Sequence, residues 1–224
     1  MIYITGDTHI PIDIAKLNSS RFTAQKKMTK NDYLIICGDF GGVWDNGKTD
    51  IYWQKWLDSK NFTTLFVDGN HENFNLLNEF EVVDFCEGKA HKISNSIFHL
   101  MRGQIYTIDK KRIFTFGGAS SHDKEYRKKD VSWWESELPD EKEIKKAVEN
   151  LKNANWEVDY IVTHCAPDSI QALISNSYDQ NILTEFLEYV KNNASFERWF
   201  FGHYHKDLTI AERFCCLFGN ITEL

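Results

Sequence analysis

Five short fragments of this 224-residue chain carry side chains of the kind that hold divalent metal ions: Gly6-Asp7-Thr8-His9, Gly38-Asp39, Gly69-Asn70-His71-Glu72, Thr163-His164 and Gly202-His203-Tyr204-His205. Carboxylate oxygens, an amide oxygen and imidazole nitrogens suit Mn, Fe or Zn, and the set lacks the thiolates of a purely structural zinc site. Asp7 and His9 lie two apart, as do His203 and His205, so in extended backbone each pair leaves one face of the chain. One ion could be held by Asp7, His9 and His205 and a second by Asn70, His164 and His203, with Asp39 bridging them. Two divalent ions outweigh the charge of the two carboxylates. Such a centre attracts a phosphate, polarises its oxygens and keeps a bridging hydroxide available as nucleophile near neutral pH. The chemistry expected is phosphoester hydrolysis.

Positioning seven ligands takes a sheet, because strand ends on one edge of an α/β sheet converge and ligands bind there. Ile2-Tyr3-Ile4 precedes Gly6-Asp7, Tyr33 to Cys37 runs apolar into Gly38-Asp39, and Thr64 to Val67 leads to Gly69-Asn70. Between the last two, Ile51, Trp53, Trp56 and Leu57 recur at helical spacing, which predicts a helix over Asp50 to Lys60 and hence a βαβ unit. The stretch from His91 to Phe116 alternates short β-prone runs with turns and predicts a second, partly antiparallel sheet. Helices are expected over Glu141 to Asn153 and Ile182 to Lys191. Strands are expected at Tyr160 to Val162 and Arg198 to Phe201, and a closing hairpin at Leu208 to Ile210 and Arg213 to Phe218.

Composition bounds the function. Hydrophobic residues make up 42% and aromatics 14%, with 3 Pro and 12 Gly, so the chain is expected to fold as a single globular domain over residues 1–224. A net charge of −7 disfavours general binding to a nucleic-acid backbone or an anionic membrane, although metal ions could still supply the local charge a nuclease needs. No run is apolar enough for a membrane span. The odd cysteine count and the missing C-x-x-C spacing point to a reducing compartment, hence the cytoplasm.

The five fragments in this order resemble the calcineurin-like metallophosphoesterase superfamily, whose pattern runs D-x-H, G-D, G-N-H-[ED], a lone H and G-H-x-H. The likeness spans residues 6 to 205. It implies an α/β fold, a four-layer β-sandwich of two mixed sheets flanked by helices. It implies a metal-dependent phosphatase or phosphodiesterase with Asp7, His9, Asp39, Asn70, His164, His203 and His205 as ligands of two divalent ions. It further implies that His71 protonates the leaving oxygen, which suits an imidazole beside a metal pair. Gly38-Asp39-Phe40-Gly41-Gly42-Val43-Trp44 lacks the Asp and Arg that follow G-D in the protein Ser/Thr phosphatase branch, and Ile10 stands where that branch has Gly. A phosphorylated small molecule or nucleotide is therefore the expected substrate.

Arg102 and Arg127 are the candidate substrate contacts, and Asp45 or Glu72 could orient His71 in place of the missing carboxylate. Ser121, His122 and Asp123 are too close in sequence to converge as a triad. Trp133-Trp134 reads as packing, and Cys165 as no ligand. The competing functions are a nuclease acting on nucleic-acid phosphodiesters and a catalytically silent metal-binding scaffold.

Overall fold

The computed structural model describes every residue except Asn176. Its strands are β1 (Ile2–Thr5), β2 (Tyr33–Ile36), β3 (Thr63–Phe66), β4 (Val82–Phe85), β5 (Gly88–Lys92), β6 (Ile97–Leu100), β7 (Gln104–Ile108), β8 (Lys111–Phe116), β9 (Tyr160–Thr163), β10 (Arg198–Phe201), β11 (Leu208–Ile210), β12 (Phe214–Cys216) and β13 (Ile221–Glu223). The helices are α1 (Lys48–Asp58), α2 (Phe74–Leu77), α3 (Glu141–Asn153), α4 (Asp168–Ile174) and α5 (Ile182–Asn193). A seven-stranded sheet runs β13-β1-β2-β3-β6-β5-β4, and a six-stranded sheet runs β11-β12-β10-β9-β8-β7.

Period-two alternation builds the layers. In β2, Ile35 faces the second sheet beside Ile4, Leu65, Val162 and Phe200, whereas Leu34 and Ile36 face outward toward Leu57 of α1 and Phe62. In the second sheet, Phe114, Ile161 and Trp199 pack outward on Ala147 and Leu151 of α3 and Leu187 of α5. Each fully buried aliphatic or aromatic side chain contributes about 1.5–3 kcal/mol, so the strands can lie back to back without further support. The result is the four-layer mixed α/β sandwich that the resemblance implied. Cys215 and Cys216 alternate between the inner and outer cores, and all five cysteines are free.

The parallel strands set the site. β1, β2, β3 and β6 pair in parallel, as do β8, β9, β10 and β12. Asp7, Asp39 and Asn70 lie just beyond the C-terminal ends of β1, β2 and β3. His164 and His203 follow β9 and β10 in the facing sheet.

Some boundaries differ from expectation. β5 and β6 extend the first sheet; the second begins only at β7, because β6 pairs in parallel with β3 and the chain crosses over at Met101 to Gly103. α1 starts two residues early, where the Asp50 carboxylate accepts from the backbone N–H groups of Trp44, Asp45 and Asn46 at 2.7–2.9 Å. β4 and β13 form edge strands that no apolar run announced. No helix is long and apolar enough to cross a membrane among the described residues.

Candidate metal centre

The seven expected ligands gather at the edge shared by the two sheets. Asp7 is fully buried, with Oδ2 at 3.2 Å from His205 Nε2 and 3.8 Å from His9 Nε2. Asp39 faces both halves of the site. Its Oδ2 lies 3.2 Å from His9 Nε2, and its Oδ1 lies 3.3 Å from His164 Nε2 and accepts from the His71 N–H at 2.8 Å. Asp7, His9 and His205 form one ligand cluster, and Asp7, Asp39 and His164 another. His9, Asp39 and His71 form a third, which seats the expected acid against the centre. The His203 ring lies 5.0 Å from that of His164, with the His203 N–H donating to Asp7 Oδ1 at 3.0 Å.

Three candidate ligand atoms make no hydrogen bond, although Asp7 Oδ2 and His164 Nε2 lie close to His205 and Asp39. Asp7 Oδ2, Asn70 Oδ1 and His164 Nε2 are buried without a hydrogen-bond partner. Leaving a buried polar atom unpaired costs about 1–3 kcal/mol, more when it is charged, so three such atoms on loops at one sheet edge fit a bound cation. The donor set of carboxylate, amide and imidazole suits a divalent cation.

Neighbouring groups aim these ligands. His9 Nδ1 lies 2.7 Å from Asp13 Oδ2, and His164 Nδ1 lies 2.7 Å from the Cys37 carbonyl, so each ring donates there and leaves Nε2 for the centre. Asn70 Nδ2 donates to Ser121 Oγ at 3.3 Å, and Ser121 Oγ donates to Glu137 Oε1 at 3.0 Å, which fixes the amide with its oxygen inward. Lys16 Nζ, deeply buried, donates to the carbonyls of Gly6 and Asp7 at 3.0 and 2.6 Å and to that of Phe218. Burial pulls the Lys16 pKa down to about 8. The sequence carries no local signal for Asp13, Lys16, Ser121 and Glu137 as supports.

The turns are tight. His9, Asp39, His203 and His205 all adopt positive φ, at 33°, 47°, 66° and 50°. Such non-glycine conformations cost on the order of 1–3 kcal/mol each and persist where the surroundings demand them. Gly38, at φ 91°, has room for no side chain, because a Cβ would collide with the His164 ring. At Gly202 a Cβ would strike Asp7 Oδ1.

Electrostatics follow the same map. Burial resists a charge on His164, yet Asp39 and then Asp7 raise its pKa to about 10 without a metal. His9 is likewise raised by Asp39 against the cost of burial. His71 is lowered, by burial first and then by Arg127, with Asp39 opposing.

Arg127 reaches the centre: its Nη2 lies 3.5 Å from His71 Nε2, while Nε pairs with Asp123 Oδ1 at 2.8 Å. Arg102 does not. It is buried, with Nε and Nη2 on Asp68 Oδ2 at 2.9 and 2.6 Å and Nη1 on Glu143 at 3.2 Å. Further bonds from Nη2 to the Ser136 and Glu137 carbonyls commit every N–H of Nε and Nη2 within the protein. Its role is structural: with His99 it offsets the burial of Asp68 and holds that carboxyl well below the usual range, just before Gly69-Asn70.

Glu72 does not orient His71 either, since its carboxylate accepts from the backbone N–H groups of Phe40 and Gly41 at 2.6 and 3.3 Å and clasps the loop after Asp39. Asp45 Oδ1 accepts from the Gly47 N–H at 2.7 Å. Trp134 is buried against Trp44, as packing requires, and Cys165 sits in the outer core.

A comparison with curated proteins finds no match. A family model for calcineurin-like phosphoesterases matches residues 1–207, which takes in all five fragments and strands β1 to β10. The chain belongs to the calcineurin-like phosphoesterase family, whose members hydrolyse phosphoesters with divalent metals.

Proposed function

We propose that the protein is a two-metal hydrolase of phosphorylated small molecules or nucleotides. The observation that carries this reading is that Asp7, Asp39 and His164 bring ligand atoms within 4.8 Å of one another, while Asp7 Oδ2, Asn70 Oδ1 and His164 Nε2 are buried without a hydrogen bond. Asp7, His9 and His205 would hold one cation and Asn70, His164 and His203 the other, with Asp39 between them. When bound, the cations offset phosphoryl charge and make a water nucleophilic at neutral pH.

The chain supplies the rest. Water adds its oxygen to phosphorus and releases one proton to solvent, the bond from phosphorus to the leaving oxygen breaks with its electron pair on that oxygen, and protonated His71 gives that oxygen a proton. At rest Arg127 faces His71 Nε2 as a donor. Turning the guanidinium onto the phosphoryl oxygens would release that nitrogen to carry the proton, and a bidentate grip would orient the ester. Asp123 pairs with Arg127 and limits its swing. Arg127 thus offers a guanidinium beside His71, where the loop after Asp39 supplies none, and it favours an ester with free phosphoryl oxygens.

The test is turnover of an aryl phosphate by the Mn-loaded protein. Asn70→Ala and His164→Ala should each lower kcat by orders of magnitude while the far-UV spectrum stays native. Near-normal turnover in both variants would overturn the reading.

A further inference from the structure

Beside the metal centre lies a cleft of about 390 Å³, bounded by the turn after His9 and the loop after Asp39. Ile10, Pro11 and Ile12 form one wall and Trp44 the other, with His9 and His71 at the inner end. Ile12 is 77% exposed, and Trp44 is half-buried with its ring edge-on to Trp134 at 5.6 Å. An isoleucine that exposed gains on contact with an apolar group. No lysine or arginine lines the cleft among the described residues, and Asp45 puts a carboxylate on its rim. Arg127 touches His71 but does not line it.

From these positions we infer that the cleft is the leaving-group subsite and that it selects an uncharged alcohol bearing an aromatic ring. The inference rests on the hydrolase reading. A general acid must stand within hydrogen-bond reach of the oxygen it protonates, about 2.6–3.2 Å. That oxygen therefore departs next to His71, and the carbons attached to it continue into the space that His71 lines. The space is apolar along Ile10 to Ile12 and at the Trp44 indole, with Thr49 and Asp50 beside that indole, and falls in the range, ~300–1,000 Å³, that takes small organic ligands. A second phosphate or a carboxylate on the leaving group would meet Asp45 and find no cation to answer it. The site thus divides its labour: Arg127 and the metal ligands face the phosphoryl group, and the cleft reads the alcohol.

The test compares three esters with leaving alcohols of similar basicity: 2-phenylethyl, n-propyl and 3-carboxypropyl phosphate, each also as its methyl diester. With Mn-loaded protein, kcat/KM for the phenylethyl ester should exceed that for propyl by at least about tenfold, as apolar pockets discriminate. The carboxypropyl ester should be the poorest. Trp44→Ala and Ile12→Ser should each shrink the phenylethyl-to-propyl ratio, and the second, at an exposed side chain, keeps the test readable if the first fails to fold. Asp45→Asn should improve the carboxypropyl ester relative to propyl. Equal kcat/KM across the three esters overturns the cleft assignment and leaves the hydrolase standing. Turnover of none, as monoester or diester, overturns the hydrolase and the subsite with it.

Discussion

Replacing Ser121 with alanine removes one hydroxyl and tests how the amide of Asn70 is aimed. That hydroxyl is buried, accepts from Asn70 Nδ2 at 3.3 Å and donates to Glu137 Oε1 at 3.0 Å. Without it the amide loses the partner that keeps its oxygen inward. Loss of a group that orients a ligand typically costs 10–100-fold in metal affinity, about 1.4–2.7 kcal/mol. The fold should suffer less, because Glu137 keeps the N–H donors of residue 121 and Trp134 at 2.9 and 3.3 Å. About 1 kcal/mol of stability, or roughly 2–4 °C in Tm, is the expected loss. Calorimetric titration of metal-free Ser121→Ala with Mn2+ should show one of two sites weakened by at least about tenfold and the other unchanged. Two sites of unaltered affinity would refute the chain from Glu137 through Ser121 to Asn70.

Three further outcomes follow from the same geometry. His164, at about 10 in the metal-free protein against an ordinary 6.5, must lose a proton to bind a cation, so Mn2+ affinity should climb about tenfold per pH unit for each proton displaced. By the same raised pKa, the stabilisation from His164 in the metal-free protein is full below pH 6.5 and is lost as pH rises toward 10. Flat affinity from pH 6.5 to 9 in buffered titrations would contradict this. His71→Ala should slow an alkyl ester by about 10²–10⁴-fold and a nitrophenyl ester far less, since a good leaving group needs no acid; equal losses would remove His71 from that role. Arg102→Met leaves the buried Asp68 carboxylate with His99 as its remaining side-chain partner and should cost up to about 3–5 kcal/mol in denaturant unfolding. A stable variant with collapsed kcat/KM would instead return Arg102 to the substrate.

The candidate ligand set is legible as a cluster because each of its fragments follows a strand of its own. Asp7, Asp39 and Asn70 each come after an apolar run, and parallel pairing carries those ends to one edge whatever the side-chain detail. The supports are not legible. Asn70 meets Ser121 across 51 residues and Lys16 meets Phe218 across 202, and no local pattern announces such contacts. Arg102 misleads for the same reason: an arginine after a short strand looks available until Asp68 and Glu143 close on it. Arg127 has no clearer signature, yet its loop folds back onto His71. β4 and β13 give no clear signal because Val82-Val83-Asp84-Phe85 and Ile221-Thr222-Glu223 are short edge strands broken by polar residues. β6 joins the first sheet rather than the second, since hairpin-like spacing shows that strands exist without showing which strand they join.

The proposed activity sets one requirement, that these side chains hold two divalent cations. It is tested most directly by the metal content of protein equilibrated with Mn2+ and freed of unbound ion, read by inductively coupled plasma mass spectrometry. Two ions per chain are expected in the native protein and fewer in His164→Ala. A native protein that retains one ion or none would contradict it.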